Sequence, residues 1–265
     1  MEVWARDGAD GGGMTKIKNN QSFFGAIADK ELIQGLFGRV APAYDRMNDI
    51  MSLGLHRCWK DTFVSGLPLD RLPASQGRTL ILDVASGTGD IGVRIQKHIV
   101  SHLSLTKNPL LLISDLNEPM LRVGLGRVAG APPVIADALH LPFADRSVSL
   151  YTVAFGLRNM ASTEGALEEA FRILVPGGFF YCLEFSEIAS PWLSGLYEMY
   201  GRVIPSLGSL FAKDGEAYQY LVKSIQAFPG PQLLEALVQD QGFTDTGFRL
   251  LSGGLVAIHW GRKPS

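Results

Sequence analysis

Cysteine is nearly absent from this sequence. Only Cys58 and Cys182 occur, each inside an apolar run and neither with a histidine or second cysteine at metal-ligand spacing. That excludes a disulfide framework and a thiolate metal centre, and both thiols are expected to be buried packing residues in a reducing compartment. An excess of charge of one sign is lacking too. The 24 basic and 26 acidic side chains leave a formal charge of −2, which gives no global field for a nucleic-acid backbone or an anionic membrane. No apolar stretch approaches the roughly 20 residues needed to cross a bilayer, and no internal repeat of fixed period is present. The N-terminal stretch MEVWARDGADGGGMTKIKNN carries Glu2, Asp7, Asp10 and a glycine run. It resembles neither a secretory signal nor an acid-poor, arginine-rich transit peptide, and residues 1–22 are expected to form a disordered tail.

What is present suffices for one sizeable core: 265 residues, 46% of them hydrophobic, predict a single domain over 23–265. From Phe23 to about Leu67 the apolar residues Ile33, Leu36, Phe37, Val40, Tyr44, Met47 and Met51 recur at helical spacing, which predicts a helical lid over 23–67. A linker with Pro68, Pro73 and Gly77 follows. The apolar runs Thr79 to Val84, Leu110 to Ser114, Val134 to Ala136, Ser149 to Phe155 and Phe179 to Phe185 read as buried strands with helical segments between most of them, hence an α/β domain with a parallel sheet over 79–265. The helix after the second run has a clear start, with Asn117 as cap, Glu118 at the positive end and Pro119 in the first turn. Beyond Phe185 the pattern is helical through Trp192, Leu196, Tyr200 and Ile204, predicting a helical insertion near 190–228. Two strand-like runs joined by Ser252-Gly253-Gly254 then signal a C-terminal antiparallel hairpin.

The stretch Gly87 to Gly92, GTGDIG, matches the dinucleotide fingerprint G-x-G-x-x-G between a strand and a helix, with Asp115 further on. Read as a pattern alone, it predicts an NAD-dependent oxidoreductase. The charges point elsewhere: Asp83 ends the strand and Asp90 sits in the loop, where a pyrophosphate needs donors. Two carboxylates suit a cation, and S-adenosylmethionine carries two, a sulfonium and an α-ammonium, while Gly87 and Gly89 still let the backbone approach closely. Asp115 and Asp137 fall at the ends of the next two strands, on the edge where such sheets bind ligands. Asp115 is placed to accept from the ribose hydroxyls and Asp137 from the adenine amino group, although a strand-terminal Asp can also simply cap the next helix.

Several longer stretches resemble the ubiquinone and menaquinone biosynthesis C-methyltransferases, over roughly Leu36 to Lys263. They are FGRVAPAYDRMNDIMSLGLHRCWK (37–60), LDVASGTGD (82–90), DLNEPML (115–121), ADALHLPFAD (136–145), FGLRNM (155–160), RILVPGGFFYCLEFS (172–186) and GGLVAIHWGRK (253–263). The resemblance implies a Rossmann-like class I methyltransferase fold: a mostly parallel seven-stranded sheet closed by the C-terminal hairpin, with N-terminal helices. It implies S-adenosylmethionine as cofactor, held by Thr88 in the glycine loop, Asp115 at the ribose and the Asp137-Ala138 pair at the adenine. Two positions depart from the family pattern. Ser86 stands where Gly is usual, which is tolerable if the backbone angle there is ordinary. Ala154 stands where Ser is usual and can offer only backbone groups. The EFS and IHWG spellings are closer to the mitochondrial ubiquinone branch, the 2-methoxy-6-polyprenyl-1,4-benzoquinol methylases. That closeness implies a polyprenyl benzoquinol substrate, the matrix side of the mitochondrial inner membrane, peripheral membrane contact, a multi-protein quinone-biosynthesis complex and a homodimer.

C-methylation of a quinol needs a nucleophilic ring carbon, which a phenolate supplies at its ortho position. Arg158 and Asn159 of FGLRN lie just past the fourth strand, where a cation and an amide can meet the phenolate oxygen. Guanidinium is a poor base, so Arg158 is assigned to anion stabilisation or to polarising a water. Tyr44, Asp45, His56 and Glu184 are candidates for the base. His56 beside Arg57 reads equally as a helix-start surface residue, and Asp45 and Asn48 as holding the N-terminal helix over the cleft. His98, His102 and His140 read as surface or loop residues. Trp192 to Phe211 can line a groove for the tail or be ordinary core. A rival to catalysis is a methyltransferase fold kept as a non-catalytic scaffold.

Overall fold

Alternation of side chains along each strand divides the core into two layers, one on each face of a single sheet. The computed structural model describes residues 3–6, 14–17, 49, 52, 54–74, 77–102, 109–186 and 223–265. Within them β1 is Val3–Arg6, β2 Met14–Ile17, α1 Leu55–Ser65, β3 Leu80–Val84, α2 Asp90–His102, β4 Leu110–Asp115, α3 Glu118–Leu125, β5 Pro133–Ile135, β6 Val148–Ala154, α4 Thr163–Ile173, β7 Leu174–Phe185, α5 Pro231–Asp240, β8 Thr244–Leu251 and β9 Val256–Arg262. On one face Leu82, Val84, Leu112, Tyr151, Val153 and Phe180 pack with Ala166, Leu167 and Ala170 of α4 and Leu234 and Val238 of α5. On the other Ile81, Leu111, Ile113, Leu150 and Leu183 meet Trp59, Phe63 and Val64 of α1 and Ile91 and Ile95 of α2.

The seven strands run in the order β5-β4-β3-β6-β7-β9-β8. Strands β3 to β7 are mutually parallel where they pair, and β9 is antiparallel to both β7 and β8. The chain winds outward from β3 through β4 to β5 and then returns to β3's other side as β6. The carboxyl ends of β3 and β6 therefore form the switch point at which sheets of this kind open a crevice. This is the mostly parallel sheet with a C-terminal hairpin that the sequence predicts.

Local signals hold where a short-range rule governs. Asn117 caps α3, accepting from the Met120 N–H at 3.1 Å, with Glu118 and a proline in the first turn. Elsewhere the structure corrects the sequence. Residues expected as a disordered tail include an antiparallel ladder, Val3 opposite Ile17 through Arg6 opposite Met14, formed by two short runs containing β-branched residues. β7 starts at Leu174 rather than Phe179 and absorbs Pro176 through a register shift opposite β6. Cys58 is exposed, not buried, since the buried face of α1 runs through His56, Trp59, Lys60, Phe63 and Val64 and leaves Cys58 off it; Cys182 is buried as expected. The helical lid over 23–67 is seen from 54 onward, apart from Asp49 and Ser52. Residues 23–48, with Tyr44, Asp45 and Asn48, lie outside the described residues, as does 187–222 of the predicted insertion; 223–227 are helical.

His259 of β9 is 2% exposed, sits beside Phe248 at 5.6 Å between ring centroids, and has no partner for Nδ1. Burial pushes its pKa down to about 4. The folded protein thus refuses a proton that the unfolded chain takes up below pH about 6.5, so His259 withdraws stability as pH falls from 6.5 toward 4. Denaturant unfolding at pH 7.5 and 4.5 is expected to show an acid-induced loss smaller by about 2 kcal/mol in His259→Phe than in the unsubstituted protein. Equal losses would mean that this imidazole is not what resists protonation.

Candidate active site at the carboxyl edge of the sheet

The turn after β3 is backbone-built. Ala85 has φ 51°, Gly87 φ 54° and Gly89 φ 76°, whereas Ser86 is not among the residues of positive φ, so the departure from Gly at 86 is accommodated. Ser86 N–H donates to the Ser114 carbonyl at 3.0 Å and Gly89 N–H to the Ser86 carbonyl at 2.9 Å. A Cβ on Gly89 would lie 2.8 Å from Val128 Cγ2 and 3.1 Å from Gly124 Cα, so only glycine lets the loop settle on the residues of α3 and beyond. Across the switch point, Phe155 follows β6 with φ 56°. A Cβ on the next residue, Gly156, would stand 2.5 Å from Ala85 Cβ.

The acids of this edge sort by environment. Asp83 is 1% exposed; its Oδ1 accepts from Thr152 Oγ1 at 2.8 Å and its Oδ2 has no partner. Burial pushes its pKa up to about 7, Thr152 offsetting part of this and the Asp115 and Asp90 charges adding to it. Asp90 behaves oppositely. Burial alone would raise its pKa, but Lys60 Nζ at 2.8 Å and Arg94 Nε at 3.2 Å outweigh it and hold the carboxyl below the usual range. This corrects the two-acid argument: Asp90 is answered by protein cations, and Asp83 alone remains uncompensated. Lys60 was overlooked in the sequence, although a lysine between Trp59 and Phe63 on an apolar helix face is a signal for a buried partner.

Asp115 Oδ2 accepts from Gly87 N–H and Oδ1 from Asn117 N–H, both at 2.7 Å. Burial raises its pKa against these bonds. Each carboxylate oxygen keeps acceptor capacity beyond one N–H. Asp137 follows β5, its Oδ1 accepting from Leu139 N–H at 3.1 Å. Ala138 and Thr88 are buried, and Ala154 is the half-buried last residue of β6. The residues fit a cationic nucleoside ligand. An interior carboxyl with an orphaned oxygen and a raised pKa gains from a nearby positive charge, whereas a pyrophosphate would add to the repulsion already felt by Asp83.

Arg158 lies in the 3-10 turn Leu157–Asn159 and is buried. Its Nη1 donates to Glu184 Oε1 and to the Phe155 carbonyl, each at 2.6 Å, and its guanidinium carbon stands 5.0 Å from the Phe185 ring centroid. Nε is buried without a partner. Asn159 Nδ2 also reaches the Phe155 carbonyl, at 3.5 Å. Glu184 is 0% exposed and further accepts from the Phe185 N–H at 2.9 Å and the Arg158 N–H at 3.3 Å, so this candidate base is committed to an ion pair. His56, for which a base and a helix-start surface residue were both open, is buried, its Nδ1 lying 2.8 Å from Ser52 Oγ; burial, then the Lys60 charge, lowers its pKa. His98 is half-buried and His140 exposed. The rings of Trp59, Phe155 and Phe185 form a cluster with centroids 4.9 to 6.5 Å apart, and Trp59 Nε1–H donates to Ser252 Oγ at 2.8 Å, tying α1 to the turn between β8 and β9. Among the described residues no group of three His, Cys, Asp or Glu side chains is placed to hold a metal ion, and no helix is long and apolar enough to cross a membrane.

The sequence profile of the ubiE/COQ5 methyltransferase family matches residues 25–263. The ubiquinone/menaquinone biosynthesis C-methyltransferase UbiE of Bartonella tribocorum is 41% identical over 97% of this chain and 97% of its own length. That of Rickettsia rickettsii is 42% identical over 86% of this chain and 91% of its own. In fold, the chain is similar to an S-adenosylmethionine-dependent methyltransferase of Thermotoga maritima described as a possible histamine N-methyltransferase. The TM-score is 0.56 at 20% identity, with 86% of this chain and 99% of that one covered.

The Asp83 environment is expected to give cofactor binding a pH dependence. A bound sulfonium favours the ionised carboxyl, whose pKa stands at about 7 without it, so affinity is present above that pH and falls below it, by up to roughly tenfold per unit. Calorimetric titration with S-adenosylmethionine at pH 8.0 and 6.0 tests this; a pH-independent affinity, or an unchanged dependence in Asp83→Asn, removes Asp83 from cation binding. Asp115→Ala is expected to weaken the same titration by about 1–3 kcal/mol through lost charge-assisted hydrogen bonds, and unaltered affinity would sink its ribose assignment.

Proposed function

Because this chain belongs to the ubiE/COQ5 methyltransferase family, and its activity is accordingly S-adenosylmethionine-dependent C-methylation in quinone biosynthesis, we propose that its substrate is a 2-methoxy-6-polyprenyl-1,4-benzoquinol. The observation that carries the reading is the juxtaposition at the switch point. An uncompensated buried carboxyl and a glycine turn after β3 face, across Gly156 and Ala85, a turn after β6 that holds a cation and an amide.

S-adenosylmethionine, when bound, supplies a methyl group made electrophilic by its sulfonium. The chain's own work is to bind and to stabilise charge. Gly87 and Gly89 allow the backbone close to the ligand, Asp115 accepts from its hydroxyls, and Asp83 offers its orphaned oxygen as countercharge. On the other side Arg158 and Asn159 offset the negative charge that builds on the quinol oxygen as its proton leaves to water and the ortho carbon becomes nucleophilic. Arg158 remains a donor throughout, since guanidinium does not give up its proton in proteins. The dinucleotide reading of the glycine turn is disfavoured by the same buried acid.

The choice of the benzoquinol rests on the EFS and IHWG spellings, the names of the bacterial relatives covering both ubiquinone and menaquinone biosynthesis. The mitochondrial matrix location, a homodimer and a larger biosynthetic assembly belong to this proposal on the same support. An isoprenoid tail partitions into a bilayer, so a peripheral contact with the membrane surface follows from the substrate.

Turnover of the reduced methoxy-polyprenyl benzoquinol with radiolabelled S-adenosylmethionine, set beside demethylated naphthoquinol, is the deciding assay. Preferential methyl incorporation into the benzoquinol ring is expected, and exclusive use of the naphthoquinol would overturn the substrate choice. Arg158→Lys is expected to lower kcat at least roughly tenfold while leaving cofactor affinity unchanged, because a point charge cannot hold the planar two-acceptor geometry seen here. Full turnover in that variant would remove Arg158 from the chemistry.

A further inference from the structure

Arg158 is not a free cation at the edge of a cleft. Its side chain is 4% exposed and that of Glu184 0%, and the two meet at 2.6 Å. A buried pair of this kind gains little net stability over an apolar one, so its presence asks for another reason. Three contacts fix the guanidinium: Nη1 to Glu184 Oε1, Nη1 to the Phe155 carbonyl, and the face of the Phe185 ring. Glu184 is itself fixed by two backbone N–H groups, those of Phe185 and Arg158. Of the donors that these contacts leave over, Nε–H is the one that is buried and unpartnered. An orphaned buried donor costs free energy unless a ligand atom answers it.

We propose that Glu184 is a positioning residue for methyl transfer: it holds the Arg158 guanidinium so that Nε–H meets the quinol oxygen, and its negative charge sets how strongly that cation favours the phenolate. This inference rests on the quinol reading above. Glu184 does so without touching substrate. The neighbouring groups leave the pair to itself. On β7, Cys182 is kept protonated by burial, with the Glu184 charge adding to that effect and Arg158 opposing it. α4 turns Ala166, Leu167 and Ala170 toward this core, its Glu169 being held by Arg172 at 2.7 Å. α1 brings Trp59 to the Phe155 and Phe185 rings, its Lys60 being taken by Asp90. Among the described residues Glu184 is the acid that the Arg158 guanidinium touches.

Two variants separate orientation from charge, both assayed as full-length protein with rates normalised to the fraction that binds S-adenosylmethionine by calorimetry. Glu184→Gln keeps an acceptor oxygen but removes the charge. The uncovered guanidinium should favour the phenolate more, moving the ascending limb of the kcat–pH profile down by about half a unit or more. Glu184→Asp keeps the charge but draws the acceptor back by one methylene. It should lower kcat roughly tenfold with the cofactor dissociation constant within about twofold of the parent. A limb in its original place in the Gln variant together with an unchanged kcat in the Asp variant overturns the proposal and leaves a packing pair. Should the Gln variant not fold, the Asp variant decides alone, and a kcat within about twofold of the parent is then fatal. If the parent protein binds S-adenosylmethionine but methylates no quinol, the substrate reading fails and takes this inference with it.

Discussion

No atom larger than hydrogen fits on the α-carbon of residue 156 beside Ala85. The rest of the site depends on that closeness. Two non-glycine residues, Ala85 and Phe155, adopt positive φ on either side of the contact, each at a cost on the order of 1 kcal/mol or more. The strain is held by ordered partners. Phe155 N–H donates to the Leu183 carbonyl at 2.8 Å, and the Phe155 carbonyl accepts from both Arg158 and Asn159. Relaxing either residue would carry the glycine turn away from the arginine turn.

Electrostatics at this edge is a matter of which acid has an answer. Asp83 and Asp90 flank one short turn, the first in β3 and the second at the start of α2, yet one carboxyl is pushed up to about 7 and the other held low. The larger part of the difference is Lys60, delivered by α1, with Arg94 one helical turn on adding to it. The helix thereby does two things at once: it silences the acid that begins α2, and through Trp59 it covers the aromatic cluster beside Arg158.

Much of this was legible in the sequence where short-range rules decide. Strand positions, the Asn117 cap, the C-terminal hairpin and the line of acids on successive strands follow from periodicity and turn chemistry. What was not legible is long-range pairing. Arg94 lies within local reach of Asp90, but its other partner, Lys60, is 30 residues away and the Glu184 partner of Arg158 is 26 residues away, and no local pattern pairs either. Cys58 was misplaced because an apolar neighbourhood in sequence is not a buried face in a helix; its neighbours Trp59 and Lys60 turn inward while it turns out. Glu184 looked like a base because a carboxylate in an apolar run stands out, and only the fold shows that its charge is already spent.

The sheet order places β9 between β7 and β8, although β8 precedes it in the chain. During synthesis β8 emerges with no edge to join, since its only neighbour in the sheet is a strand not yet made. The two must dock together as a hairpin. Until they do, β7 presents an open edge of Phe179 to Phe185, an apolar template for pairing with another chain. The Ser252 hydroxyl that receives Trp59 arrives with the same hairpin, spanning 193 positions in sequence. The half of the sheet from β3 to β6 can thus form early, while α1 is latched to the β8–β9 turn by one of the last pieces to fold.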